Sequence, residues 1–352
     1  MKSTRIDDAT FAREIPKAEL HLHIDGTLEP ELKLDIADRN GIKLEQTTAD
    51  EIRETYKFHD LESFLNVHYP NMEVLWTEQD YYDLCSAYLR RAAAQGVRHV
   101  EIFFDPQLHT SRGVPFSTFV SGYRRAIMTA QREYGIHAAL IMCFLRDHGV
   151  KYAMATLMES LPYKEWILGV GLDSNEKDNP PIAFKSVMAR ARSEGYMVTV
   201  HCDIDQENSI EHIRQALMEL EVDRIDHGTN IVEDEDLLKV AIERGIGFTT
   251  CPLSNSQVNP GMKAGEIVAL LEKGALVSVN SDDPPYFGGY VGDNYVALQE
   301  YAELDRDQIV KIARNSFLSS WLPTHLRDGY LAELDAWVAA HPAAAPTGDK
   351  AV

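Results

Sequence analysis

Eight short β-rich segments recur along the chain with helical patterns between them, and this alternation limits the fold more than any other feature. They cover 18–24, Val97–Phe104, His137–Leu145, Ile167–Asp173, Met197–Cys202, 224–228, 247–252 and 276–283. Most are continuous apolar runs, the pattern of parallel strands buried on both faces. Residues 181–194, 209–220, 233–244 and 262–273 place apolar side chains three and four apart with charges between them, as amphipathic helices do. Eight such repeats predict a (β/α)8 TIM-type barrel. An open doubly wound sheet is the alternative, but it offers no reason to stop at eight. Residues 25–96 are too long for one crossover and carry helical patterns over Pro30–Arg39 and 80–94. They predict a helical insertion after strand 1, beside the barrel mouth, as a lid or as structural cover. Residues 293–301 and 305–322 read as closing helices. The domain expectation is one barrel over 1–340, followed by a flexible tail over 341–352.

Charge narrows the partners. The chain has 55 acidic against 34 basic side chains, a formal charge of −21. Proteins that hold phosphate backbones concentrate positive charge instead, so no nucleic acid is expected. No apolar run reaches the roughly 18–20 residues that cross a bilayer, and the N-terminal stretch has no apolar signal region. No membrane association is expected, and a cytoplasmic enzyme is. Cys85, Cys143, Cys202 and Cys251 are widely spaced and form no C-x-x-C pair, so they predict buried free thiols.

The chemistry-bearing residues fall at the predicted C-terminal ends of strands. Strand 1 ends in His21-x-His23, whose side chains share one face because strand side chains alternate. Strand 5 ends in His201, strand 6 in His227 and strand 8 in Asp282-Asp283. Singly, a buried histidine or an Asp-Asp dipeptide is ordinary. Four such elements at four strand ends converge on the mouth where barrels of this kind hold their active sites. Nitrogen and oxygen donors gathered there suit Zn2+. Phosphate-loop, dinucleotide, H-E-x-x-H and G-x-S-x-G patterns are all missing.

The stretches PKAELHLHIDGTLEP (16–30), HVEIFFDPQLHT (99–110), GVGLDSNE (169–176), RIDHG (224–228), CPLSN (251–255) and VNSDDPPYFGGYV (279–291) carry a resemblance. Their order and combination resemble the adenosine/adenine deaminase branch of the amidohydrolase superfamily. Residue by residue, the resemblance implies one zinc ion held by His21, His23, His201 and Asp282. It implies His227 as the group that orients and deprotonates the attacking water, Asp282 as its proton partner, and Asp283 as the contact to purine N7. The implied reaction is hydrolysis of a 6-amino group on a small-molecule aminopurine, with release of ammonia. A homo-oligomer is compatible with it.

Several details resemble the adenine branch more than the adenosine one. Asp226 stands where adenosine deaminases usually have glycine. Glu176 stands where the nucleoside enzymes have a glycine near purine N3, and a carboxylate there could accept a proton from the unsubstituted edge of a free base. Ser174, in the same stretch, is a further candidate contact. Asp25 points the other way, because in adenosine enzymes this position can meet the ribose. The implied product from adenine is hypoxanthine, with adenosine or an N6-substituted adenine as alternative substrates. The departure follows His201. The family motif H-A-G-E carries a glutamate that protonates ring N1, but here Ile204 fills that position. Asp205 or Asp203 is the expected substitute. A metal-binding barrel that has lost catalysis is the rival from another class.

Overall fold

The computed structural model describes residues 6–343; the part of the expected tail from residue 344 onward lies outside the described residues. Eight strands form one parallel sheet in chain order. They are β1 (Lys17–His23), β2 (Val97–Phe104), β3 (His137–Leu145), β4 (Ile167–Asp173), β5 (Met197–Cys202), β6 (Arg224–His227), β7 (Gly247–Thr250) and β8 (Leu276–Val279). The chain beyond β8 closes the ring: Asp282 N–H donates to His21 O and His23 N–H to Asp282 O, both at 3.1 Å. The result is the expected (β/α)8 barrel.

Alternation along β1 shows how the barrel is filled. Leu20 and Leu22 face outward and join the main apolar core against the helices, whereas Glu19, His21 and His23 belong to the polar interior. Phe103, Ile141 and Cys143 form a separate small apolar cluster inside the barrel. Much of the remaining interior is polar. Such groups need partners, because burying an unpaired one costs roughly 1–3 kcal/mol.

Between β1 and β2 lie helices Pro30–Arg39, Ala49–Arg53, Leu61–Asn71 and Glu78–Ala94. Each of the last three starts at a Thr or Asp whose side chain accepts a backbone N–H of the first turn, the ordinary N-cap chemistry. The crossover helices Lys185–Ser193, Ser209–Met218, Glu235–Glu243 and Ala264–Glu272 occupy the expected places, each shorter than its sequence pattern. A turn of 3-10 helix takes the first residues of the expected 181–194 helix. Helices Phe116–Tyr134 and Thr324–Ala340 were not singled out by periodicity. No described helix is long and apolar enough to cross a membrane.

Candidate active site

The strand ends bring four donor atoms together. His201 Nε2 lies 3.1 Å from the Nε2 atoms of both His21 and His23. Asp282 Oδ1 lies 3.2 Å from His21 Nε2 and 3.5 Å from His23 Nε2. One ring nitrogen cannot donate to two others at once, so these contacts are not a self-satisfied hydrogen-bond network. Zinc bonds of about 2.0–2.1 Å give tetrahedral edges of about 3.3–3.4 Å, close to the spacing found here. The donor set fits the ion.

The far sides of the imidazoles support the same reading. Thr249 Oγ1 donates to Asp226 Oδ1 at 2.9 Å and lies 3.0 Å from His21 Nδ1. Its hydroxyl must therefore accept from Nδ1–H, which leaves the His21 Nε2 lone pair directed inward. His201 Nδ1 faces Asp226 Oδ2 at 3.5 Å, and His23 Nδ1 faces Asp173 Oδ2 at 3.6 Å. An oxygen behind the ligating ring is the usual way a metal-binding histidine is oriented. Burial lowers His23 to about 3 and His201 well below the usual imidazole range, so both are neutral and offer lone pairs. The Phe103 ring packs 5.1–5.2 Å from all three imidazoles and excludes water on that side. Cys251 is near His21, His227 and Asp282. Its thiol is pushed well up by burial and lies 3.9 Å from Thr249 O.

Backbone strain marks the same rim. Ser174, His227 and Asp282, at or just beyond the ends of β4, β6 and β8, have φ of +68°, +57° and +64°. Non-glycine residues held there cost of order 1–3 kcal/mol and persist only where the surroundings enforce them. His227 Nε2 is 3.1 Å from Asp203 Oδ1 and 3.9 Å from Asp282 Oδ2. Burial would lower the His227 pKa, but the two carboxylates outweigh it and raise it. Burial likewise raises Asp203 to about 8, against the pull of His227. Burial, then the neighbouring Asp282, holds the Asp283 carboxyl well above the carboxylate range, so it can donate a hydrogen bond as well as accept one. Gly26 makes room for it: a Cβ there would sit 1.7 Å from Asp283 Oδ1.

These groups open onto a cavity at the barrel mouth. Phe58, Phe64 and Leu65 of the insertion and Phe287 after β8 give it apolar walls. His68 and Tyr69, also from the insertion, face them, and Tyr69 OH donates to Ser174 Oγ at 2.7 Å. The insertion therefore helps to build the cavity as well as covering the barrel.

Of the sequence candidates, His23, Ser174, His201, Asp203, Asp205, His227, Asp282 and Asp283 line this cavity, with His21 behind them. Asp205 is exposed and accepts from Gln206, whereas Asp203 is turned inward to His227. Two candidates are not on the wall. Glu176 is fully buried, with Oε1 accepting from Asp203 N–H at 2.7 Å and ion-paired with Arg146 Nη1 at 3.1 Å, and Oε2 2.8 Å from His212 Nδ1. Its oxygens are occupied in tying down the loop after β5, so the expected purine contact through Glu176 is replaced by a positioning contact to Asp203. Asp25 is buried against His109 Nε2 at 3.1 Å, which in turn meets Tyr81, and does not reach the cavity as a ribose contact would require.

Sequence reasoning missed Asp105 and Asp173, which line the cavity after β2 and at the end of β4. Burial raises Asp173 to about 7 and Asp105 well above the usual range. Both are strand-end positions inside quoted motifs, so the rule that found the histidines also reaches them.

Comparison with known proteins agrees with this geometry. The family model described as adenosine deaminase matches residues 16–337. An uncharacterised deaminase of Schizosaccharomyces pombe is 50% identical over 336 residues, 95% of this chain and 99% of that protein. The crystal structure of an adenine deaminase from Arthrobacter aurescens superposes with a TM-score of 0.88 at 43% identity, covering 92% of this chain and 98% of that one. An amidohydrolase from Burkholderia ambifaria, solved with bound zinc, superposes with a TM-score of 0.83 at 25% identity, covering 95% and 94%.

Proposed function

Because this chain belongs to the adenosine deaminase family, we propose that it is a zinc-dependent hydrolytic deaminase of a 6-aminopurine, converting adenine and water to hypoxanthine and ammonia. One observation carries the metal: three imidazole nitrogens and a carboxylate oxygen face one another without satisfying one another, each imidazole having an oxygen behind it. A single zinc held by His21, His23, His201 and Asp282 would supply the charge that brings the pKa of water from about 15.7 toward about 7.

The chain's own groups supply the proton traffic and the orientation. His227 Nε2, between Asp203 and Asp282, takes the proton from the water that adds to C6. Asp203 replaces the family glutamate and delivers a proton to ring N1. It is preferred to Asp205 because it is turned inward and held by Glu176, while Asp205 faces solvent. Asp283 bonds N7. The 6-amino group, having gained a proton, leaves as ammonia. Phe58, Phe64 and Leu65 hold the ring and exclude bulk water. The burial of Asp25 against His109 favours a free base over a nucleoside, since the residue that would meet ribose is committed elsewhere.

The test is ammonia release from adenine, adenosine and N6-methyladenine by purified protein supplied with zinc, with methylamine followed for the methylated base. Adenine should be turned over best. Adenosine turned over well above adenine would overturn the free-base reading, and no turnover of any of the three with zinc bound would overturn the deaminase reading.

A further inference from the structure

The metal and the proton carriers account for one side of the cavity. Two carboxyls facing it from β2 and β4 remain without a role in that chemistry. Asp105 is 4% exposed and Asp173 3% exposed, yet both line the cavity. Ligand atoms of Asp105, Asp173 and His23 lie within 4.8 Å of one another. Asp173 turns Oδ2 toward His23, but its Oδ1 has no hydrogen-bond partner, and neither has Asp105 Oδ1. A buried carboxylate oxygen left unpaired is costly, by roughly 1–3 kcal/mol or more for a charged group. The cost is removed when a ligand brings a donor. A carboxyl oxygen with no partner accepts, so an N–H or O–H brought by a ligand would complete it. No lysine or arginine lines this cavity to supply one.

We propose that Asp105, with Asp173 beside it, accepts the imidazole N–H of the substrate and thereby selects a free purine base over one substituted at N9. This rests on the aminopurine deaminase reading and names the substrate class of the same site. A free purine carries one imidazole N–H, at N7 or N9. A nucleoside or a 9-alkyl purine carries none, and meets the two carboxylates with lone pairs and bulk instead. The role that sequence comparison suggested for Glu176 falls to Asp105, because Glu176 is occupied by Asp203 N–H, Arg146 and His212. The apolar walls and the aminopurine contacts fix the ring, and Asp105 reads its substitution.

The probe pair is adenine and 9-methyladenine, assayed with the zinc-loaded full chain as wild type, D105N and D173N. Wild type should favour adenine in kcat/KM by about 10–100-fold, the worth of one hydrogen bond to a charged group. In D105N that ratio should narrow by about three- to tenfold, because the N–H of adenine then meets an uncharged amide oxygen while 9-methyladenine has no N–H to lose. Zinc content and melting temperature of D105N should match wild type, which separates substrate recognition from a folding defect. D173N should narrow the ratio less, since Asp173 also faces His23. Equal wild-type turnover of the two purines, or equal loss on both in D105N, would overturn the proposal while leaving the deaminase reading intact. Two zinc ions per chain, one lost in D105N, would overturn it in favour of a second metal site. If wild type deaminates neither purine, the deaminase reading fails by itself. Calorimetric binding of purine against 9-methylpurine to wild type and D105N then still decides the role of Asp105: a preference for purine that weakens in D105N supports it, and a preference absent from wild type or unchanged in D105N overturns it.

Discussion

Two polar regions share the barrel interior and are completed in opposite ways. One is built on β2 and β6, where the buried Arg224 guanidinium pairs with Glu101. Glu101 Oε1 also accepts from Trp321 N–H at 2.6 Å and lies 3.0 Å from His99 Nε2, while Arg224 lies 4.2 Å over the Trp321 ring. Opposite charges meet there, although Arg224 Nε and Nη2 and Trp321 Nε1 have no hydrogen-bond partner. The other region is the mouth, where imidazoles face imidazoles, carboxyls face carboxyls, and Asp105 and Asp173 keep unpaired oxygens. Both are buried. The difference shows that burial of polar groups alone does not mark a site; burial of like groups facing one another does.

Removing donors from the mouth should have the largest effect. His21→Ala or Asp282→Ala should lower kcat/KM for adenine by more than about 10³-fold and abolish zinc retention, read by elemental analysis. Retained activity would mean that the four donors are not the ligands. Asp203→Asn should lower kcat by about 10²–10⁴ while leaving zinc content unchanged, as loss of a general acid does. A rate near wild type would return the role to another residue.

The lower region should respond in stability rather than chemistry. Arg224→Met strands the Glu101 charge and should cost about 3–5 kcal/mol in denaturant unfolding, with zinc content unaltered. Glu101 has its pKa lowered to about 2, since the attraction of Arg224 overcomes the burial that would raise it. A lowered carboxylate stabilises the fold fully above its unfolded value near 4.5 and progressively less as pH falls toward 2. Chemical denaturation of wild type across that window should therefore show a steeper loss than in Glu101→Gln.

Asp226 joins the two regions, lying 3.6 Å from Arg224 Nε and 3.5 Å from His201 Nδ1, and serving His21 through Thr249. Asp226→Asn should weaken zinc affinity by about 10–100-fold in chelator competition, the usual scale for a residue behind a ligand. Unchanged affinity would separate the regions after all. Asp205→Asn, at the exposed edge, should change kcat by less than about twofold, because surface substitutions away from such networks have small effects.

How much of this was readable in the chain follows from the range of each signal. β2 to β5 match their apolar runs residue for residue, because a strand buried on both faces writes its own boundaries. The longer helix Phe116–Tyr134 was not singled out, although Phe116, Phe119, Val120, Tyr123, Ala126, Ile127 and Ala130 give it an apolar face at three- and four-residue spacing. The His21-x-His23 pair and the strand-end acids could be gathered because a barrel sends all strand ends to one mouth. What the chain did not disclose was which acids are already engaged. The partners of Glu176 come from the ends of β3 and β5 and from a later helix, and that of Asp25 from the turn after β2. No local pattern records those meetings. The sequence reading gave Asp105 no role, and the substrate contact expected of Glu176 is the one we propose for Asp105.

The proposed function makes the mouth a zinc site for hydrolysis of a free aminopurine. Its most direct test is adenine-dependent ammonia release by one protein preparation before chelation, after it, and after zinc is restored. The account predicts that activity falls to background in the metal-free protein and returns in full with one equivalent of zinc per chain. Undiminished activity in the metal-free protein would contradict it.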